Sequence, residues 1–278
     1  MSKSLKALLL AYADDELILG HRHSEWTGFA PHLEEDVAFS SIAQDEIGHA
    51  ASYFRLLAEV DEDDPDHIAL GRSKDEYRNA ILCERSNREW AYTLARHWLY
   101  DTADDIRLEA LEASAHAGLA QLAVKMRREE RYHLIHADTW MKRVTHGPVE
   151  GRSRLEQGLS DAFGEVMGLF ETLELEEEAV VEGWLPTPST ELRSRFLDRA
   201  GNFLDELGLP TEVRAGVDQS AEFVASSSGD LIASSEESSE PAAQPSGLGG
   251  RRGDHTKDFE ELWDVMTMTY RENPGASW

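Results

Sequence analysis

The sequence contains the pattern Glu-x-x-His twice, each time inside a long helical pattern. The first copy runs from Glu46 to His49 and the second from Glu130 to His133. Residues three apart lie on the same face of a helix, so each copy presents a carboxylate beside an imidazole. Two such pairs, with a further carboxylate from each of two other helices, form the ligand set of a di-iron or di-manganese four-helix bundle. The repeated motif therefore predicts a two-metal site inside a helical bundle.

The two further carboxylates of the site are predicted from their positions along helical hairpins. Residues at equal distances from the turn of an antiparallel hairpin lie opposite each other. If the helices on either side of residue 31 form an antiparallel hairpin, Glu16 and Glu46 are equally far from the turn. Asp101 and Glu130 are equally far from a second predicted turn at residues 115–116. At a rise of about 1.5 Å per residue, each carboxylate lies roughly 22 Å from its turn. The predicted metal ligands are Glu16, Glu46, His49, Asp101, Glu130 and His133.

The types of ligand atom indicate which metals the site would bind. The motif itself could also occur by chance. Carboxylate oxygens and imidazole nitrogens suit iron or manganese and are poor ligands for Cu(I) or structural zinc. In a chain with 29% charged residues, a single Glu-x-x-His is more often a surface accident. Two copies with mirrored partner acids favour the metal, because burying these groups without one would be very costly. The histidines near the first turn, His21, His23 and His32, are interpreted as surface or capping groups.

Helical periodicity accounts for most of the chain, and strand signals are almost absent. We predict an all-α fold with four long helices, over residues 3–23, 32–60, 87–113 and 119–145, and a crossover over 67–85. Further helices are predicted over 151–182 and 190–206. Residues 226–253 are rich in Ser, Glu, Pro and Gly and are predicted to be a disordered insertion. They separate a bundle with extensions, residues 1–225, from a C-terminal segment, residues 254–278, whose helix is expected to dock on the bundle.

Composition excludes several classes of function. The chain has 54 acidic and 27 basic residues, a net charge of -27, which argues against nucleic acid and anionic membranes as partners. Its single cysteine, Cys83, excludes a disulfide within the chain and a Cys-rich metal site. The apolar run near the N-terminus ends at Asp14 and is too short for a signal peptide or a spanning helix. We therefore expect a soluble, cytoplasmic protein.

Several stretches resemble the C subunits of the multicomponent phenylacetyl-CoA 1,2-epoxidases. These stretches are residues 9–22, 25–31, 33–38, 95–96 with 100–101, 130–134 with 136, and 273–278. The resemblance covers nearly the whole chain except the Ser/Glu-rich insertion. It implies a ferritin-like four-helix bundle with additional C-terminal helices, in an oxygenase of aerobic phenylacetate breakdown.

The resemblance also implies cofactors and partners. In this family the A subunit holds the di-iron centre and binds the substrate phenylacetyl-CoA, and a partner reductase delivers electrons from NADPH. The C subunit is usually the structural partner of the A subunit and has lost several metal ligands. This chain departs from that pattern because all six predicted ligands are present. By analogy with di-iron bundles, Glu46 and Glu130 would bridge two iron ions, Glu16 and Asp101 would be terminal ligands, and His49 and His133 would each hold one ion.

Three functions remain open from the sequence. The leading hypothesis is a C-type epoxidase subunit that serves as the structural partner and retains a metal site. If it is a non-catalytic scaffold, any bound metal only stiffens the bundle. A second is a di-iron oxygenase subunit that is catalytically active in its own right. A third is an iron-storage or peroxide-scavenging bundle, which the chain length and the extra C-terminal helices make less suitable.

The excess of acid leads to a first prediction, that the protein is adapted to high salt. Self-repulsion among the acidic side chains destabilises the folded state, and added salt screens it. We expect the melting temperature to rise as KCl is raised from about 0.1 M into the molar range. Thermal unfolding followed by circular dichroism tests this expectation, and a melting temperature that is constant or falls with KCl would contradict it.

Overall fold

A computed structural model describes residues 2–61, 63–214, 247–273 and 276, and over these residues the chain is all-α. Its helices are α1 (Lys3–Ser24), α2 (Leu33–Asp61), α3 (Pro65–Leu70), α4 (Ile81–Glu84), α5 (Trp90–Leu111), α6 (Ala117–Thr145), α7 (Val149–Phe163), α8 (Glu176–Val181), α9 (Ser189–Glu206), α10 (Lys257–Met266) and α11 (Met268–Glu272). The predicted all-α fold is confirmed. None of the described helices combines the length and apolar character that a membrane crossing requires.

The four long helices form two antiparallel hairpins, α1 with α2 and α5 with α6, which pack side by side through α2 and α6. The predicted bounds of these helices agree with the structure to within about three residues. Local sequence explains where they begin. The Ser2 hydroxyl caps α1 by accepting a hydrogen bond from the backbone of Ser4, and the His116 imidazole caps α6 through the backbone of Leu119. Three acids in the first turn of α2 complement the positive end of its dipole.

Burial differs sharply between the helices. In α6 only eight of 29 residues are buried, and they follow a regular spacing of three and four along one face. In α5, by contrast, 19 of 22 residues are buried. The reason is that α7, α9 and the chain around them pack on α5, while α4 and α8 pack on α1. The added helices therefore cover the α1–α5 side of the bundle.

The single helix predicted over residues 151–182 is not present. Helix α7 ends at Phe163, a 3-10 turn follows over Glu165–Phe170, and α8 begins only at Glu176. Glycine allows this break, because a side chain at Gly168 would lie 2.3 Å from the backbone oxygen of Gly247. The break thus makes room for a distant segment of the chain to return.

The returning segment, residues 247–253, is ordered against the protein, although its composition predicted a disordered insertion. Residues 226–246 of the predicted insertion lie outside the described residues, but residues 247–253 pack against the body of the protein. Arg251 is buried, and its guanidinium nitrogens lie 2.7 and 2.9 Å from the carboxylate oxygens of Asp15 on α1. Arg107 of α5 donates to the same carboxylate at 2.7 Å. Burial alone would raise the pKa of Asp15, but these two cations hold it below its usual range.

A second prediction concerns this buried cation. Replacing Arg251 with Ala leaves the Asp15 carboxylate with one fewer cation in the core, so we expect the free energy of unfolding to fall by about 3–5 kcal/mol. The neighbouring Arg252 is a matched control, because half of its side chain is exposed where it pairs with Glu171. Arg252→Ala should cost about 1 kcal/mol or less. Denaturant titrations of both variants at fixed salt test this, and equal losses would contradict it.

Candidate metal centre

The six predicted ligands come from the four long helices and all are buried, none more than 3% exposed. They are Glu16 of α1, Glu46 and His49 of α2, Asp101 of α5, and Glu130 and His133 of α6. The structure brings some of these side chains into direct contact and turns others toward different partners.

Glu16, His49 and Glu130 form the closest group. One ligand atom from each lies within 4.8 Å of the other two. The Nδ1 atom of His49 is 3.4 Å from Glu16 Oε2 and 3.3 Å from Glu130 Oε1. Helices α1, α2 and α6 therefore each contribute one side chain to this group.

His133 joins this group through Glu130. Its Nδ1 atom lies 3.1 Å from Glu130 Oε1, the same oxygen that faces His49. The centres of the two imidazole rings are 6.5 Å apart. The Glu130 carboxylate thus lies between the two histidines.

Glu46 and Asp101 are turned toward other histidines. The Nδ1 atom of His23 lies 2.9 and 3.0 Å from the two carboxylate oxygens of Glu46. One Asp101 oxygen lies 3.1 Å from His97 Nδ1. The structure therefore does not gather all six side chains at one point, and the role of these two carboxylates as ligands stays a prediction. The interpretation of His23 as a surface or capping group is wrong, because its ring is fully buried.

The unsatisfied atoms at the centre fit a metal site. Among the described residues, several buried donor and acceptor atoms here make no hydrogen bond. At the centre they are Glu16 Oε2, His49 Nδ1, both oxygens of Glu130 and His133 Nδ1. Both oxygens of Asp101, which faces His97, also make no hydrogen bond. Buried polar atoms are nearly always hydrogen-bonded in folded proteins, so a cluster of free ones needs an explanation. Oxygen and nitrogen donors that converge in this way are suited to iron or manganese ions.

Two further carboxylates, which the sequence analysis missed, hold the histidine rings from outside. Glu129 Oε2 lies 3.0 Å from His49 Nε2, and Asp45 Oδ2 lies 3.2 Å from His133 Nε2. A proton on each Nε2 leaves the inward Nδ1 free as a ligand atom, which is the usual role of a carboxylate behind a metal-bound histidine. The signal was in the sequence, because an acid directly precedes the glutamate in both motifs. Each such acid serves the histidine of the other motif.

The ionisation of the group follows from its burial and close charges. Burial alone would lower the pKa of His49, but Glu130 and Glu16 raise it to about 11. Burial alone would raise the pKa of Glu130, but His133 and His49 bring it below its usual range. Glu46 and Asp101 behave differently, since burial and neighbouring carboxylates raise their pKa values well above the ordinary range. Without metal, the histidinium side chains therefore balance the buried negative charge.

A third prediction is that metal binding releases protons. The raised pKa of His49 means that its ring is protonated at neutral pH, and the ring must lose that proton to become a ligand. Affinity for Mn²⁺ should therefore increase between about pH 6 and pH 8. Calorimetric titrations in buffers of different ionisation enthalpy measure the proton release. His67→Gln is the control, because His67 is exposed and far from the centre in the chain. An affinity that does not change with pH would contradict the prediction.

A fourth prediction tests the two outer carboxylates. Asp45→Asn and Glu129→Gln remove the charge that orients His133 and His49, and we expect each to weaken Mn²⁺ binding by about 10–100-fold. The exposed Glu59 of α2 offers a matched control, and Glu59→Gln should bind like the parent protein. Melting temperatures would show that each variant folds. Unchanged affinity in both outer variants would exclude this role.

The chain is similar to proteins of phenylacetate catabolism. The chain is 28% identical to the C subunit of 1,2-phenylacetyl-CoA epoxidase from Escherichia coli (strain K12), over 275 residues that cover 99% of each chain. Residues 1–223, which include the four long helices and the whole candidate centre, match the family described as Phenylacetic acid catabolic protein. The chain belongs to the phenylacetic acid catabolic protein family.

Proposed function

We propose that this protein is the C-type subunit of a phenylacetyl-CoA 1,2-epoxidase and acts in the cytoplasm in aerobic phenylacetate breakdown. The observation that carries the proposal is the relationship to the bacterial C subunit, which extends over 99% of both chains. The enzyme complex would insert one oxygen atom of O2 into the aromatic ring of phenylacetyl-CoA. The other oxygen atom would be reduced to water with two electrons from NADPH, delivered by a partner reductase. The catalytic A-type subunit would be the principal partner.

We further propose that this subunit retains a two-iron site. Glu16, His49, Glu130 and His133 would hold the ions, and Glu46 and Asp101 would complete the set after turning from His23 and His97. Iron bound there would supply the capacity to react with O2. The free inward atoms of the centre support this proposal.

The chain's own residues have three tasks in such a site. Asp45 and Glu129 orient the two motif histidines from outside. The Tyr100 hydroxyl donates to Glu16 Oε1 at 3.0 Å and fixes that carboxylate. Burial of the ligands excludes bulk water, which strengthens every electrostatic interaction inside the site.

Metal content is the experiment that tests the site. Protein expressed with ample iron and purified at high salt, alone and with an A-type subunit, should contain about two irons per chain. The double variant Glu46→Ala/Glu130→Ala should lose this iron, whereas Glu59→Ala, which alters an exposed acid of α2, should keep it. Absence of iron from the parent protein would reject the two-iron site. The assignment as a C-type subunit would then depend on co-purification with the A-type subunit, which is measured in the same preparation.

A second candidate function is that this subunit is catalytically active itself. The specific observation in its favour is that all six predicted ligands are buried on the four long helices. Turnover of phenylacetyl-CoA by the assembled complex distinguishes the two functions. If Glu46→Ala/Glu130→Ala abolishes turnover while the complex still assembles, the subunit is catalytic. Full turnover by that variant assigns it the role of a scaffold.

A further inference from the structure

A cavity of about 440 Å³ lies beside the N-terminal half of α1. Its walls come from the first turns of α1, the loop that leads into α8, and the returning segment that carries Arg251. Its volume is in the range of small-molecule sites in proteins. None of the six predicted metal ligands is among the described residues that line it, so the cavity is separate from the candidate metal centre.

Cations line this cavity although the chain is strongly acidic. The basic residues of the lining are Lys3, Lys6, Arg78 and Arg251, and its one described acid is Glu174. In the whole chain acids outnumber bases by 54 to 27, and two of only six lysines are found here. Four cations around one cavity therefore need a reason, and attraction of an anionic ligand supplies one.

The two arginines of the lining retain unused capacity to bind an anion. The Arg251 side chain is 1% exposed, and its terminal nitrogens pair with Asp15, but its buried Nε has no hydrogen-bond partner among the described residues. A buried donor without a partner is rare in folded proteins. Arg78 donates to the backbone oxygens of Asp75 and Tyr77 and forms no salt bridge with any described carboxylate. Its positive charge is therefore available to a ligand.

Apart from Ser2, the rest of the lining is aliphatic. It consists of Ala7, Leu10, Ala11, Leu173 and Leu175. Leu175 has a φ of +60° and is the only non-glycine residue of the described chain with a positive φ. A bulky residue is strained in this conformation, and such strain is often found at functional sites. A leucine here has an explanation if its side chain is needed as part of an apolar wall.

We propose that this cavity binds a small monocarboxylate with an apolar body. The carboxylate would meet the lysines and Arg78, and the body would pack on the leucines. The described lining holds no aromatic ring on which a nucleotide base could stack, and Glu174 would repel a dianionic phosphate more than a monoanion. It holds no imidazole or thiol either, so we assign binding rather than reaction to it. The site does not depend on the proposed function, and only the choice of probe comes from the family.

Calorimetric titration of the full-length protein with phenylacetate is the test, at the lowest salt that keeps the chain folded, because salt screens the attraction. We expect saturable binding of one ligand per chain. Phenylacetamide has the same body without the charge, and acetate has the charge without the body. Each should bind at least about 10-fold more weakly. No saturable binding of phenylacetate, or equal binding of phenylacetamide, would overturn the proposal. So would tighter binding of inorganic phosphate, which would assign the cavity to phosphate.

A pair of lysine variants tests the charged part of the site. Lys3→Gln/Lys6→Gln should weaken phenylacetate binding by about 10-fold or more, because it removes two cations from the lining. Lys142→Gln/Lys257→Gln is the matched control, since it changes the net charge equally at exposed lysines outside the cavity. The control should bind phenylacetate like the parent protein.

Leu175→Gly tests the apolar wall. The glycine relieves the left-handed strain while it removes the side chain, so the protein should fold, and its melting temperature checks this. Phenylacetate binding should weaken by about 10-fold, and acetate binding should not change. Val181→Ala, which alters a side chain of α8 that is 87% exposed, should leave both unchanged. Phenylacetate binding that survives both Leu175→Gly and Lys3→Gln/Lys6→Gln would place the ligand elsewhere and overturn the proposal.

Discussion

The interior of this protein depends on one constraint, which is that charge buried in α1 must meet opposite charge. Three consecutive acids, Asp14, Asp15 and Glu16, are all buried. Successive residues of a helix point about 100° apart, so three different neighbours must supply the cations. Arg72 reaches Asp14 from the crossover at 2.9 Å, Arg107 and Arg251 share Asp15, and His49 faces Glu16. The three acids therefore hold α1 to the crossover, the C-terminal segment and the candidate metal centre at once.

The sequence predicted the long helices, and it selected six residues that the fold buries on them, because both leave regular signals. The buried residues of α6 recur every three or four positions, which is the pattern that periodicity detects. Helix α1 is buried on nearly all sides and has little such pattern, so Glu16 was predicted from its distance to the turn instead. Motif spacing and hairpin geometry are local properties, so they can be read without knowledge of the tertiary fold.

Tertiary contacts explain what the sequence could not predict. His23 is near a turn, where exposed histidines are common, but the core covers it and its Nδ1 atom lies 2.9 Å from a carboxylate oxygen of Glu46. Arg251 stands in a Gly-rich stretch that resembles a linker, and only the fold reveals that Asp15 is its partner. At the break after Phe163, Gly168 lies against Gly247, which is more than 80 residues later than Phe163. Each failure involves a partner distant in sequence, which local propensity cannot reveal.

The ion pair between Asp15 and Arg251 has a consequence for how the protein is made. The two residues are 236 positions apart, so the first helix leaves the ribosome long before its cation exists. Until then, the α1 carboxylate has Arg107 alone, and the bundle core carries unmatched negative charge. Final closure of the core is therefore linked to completion of the polypeptide. Chains cut short before Arg251 would keep every predicted metal ligand and still lack the charge balance that buries α1.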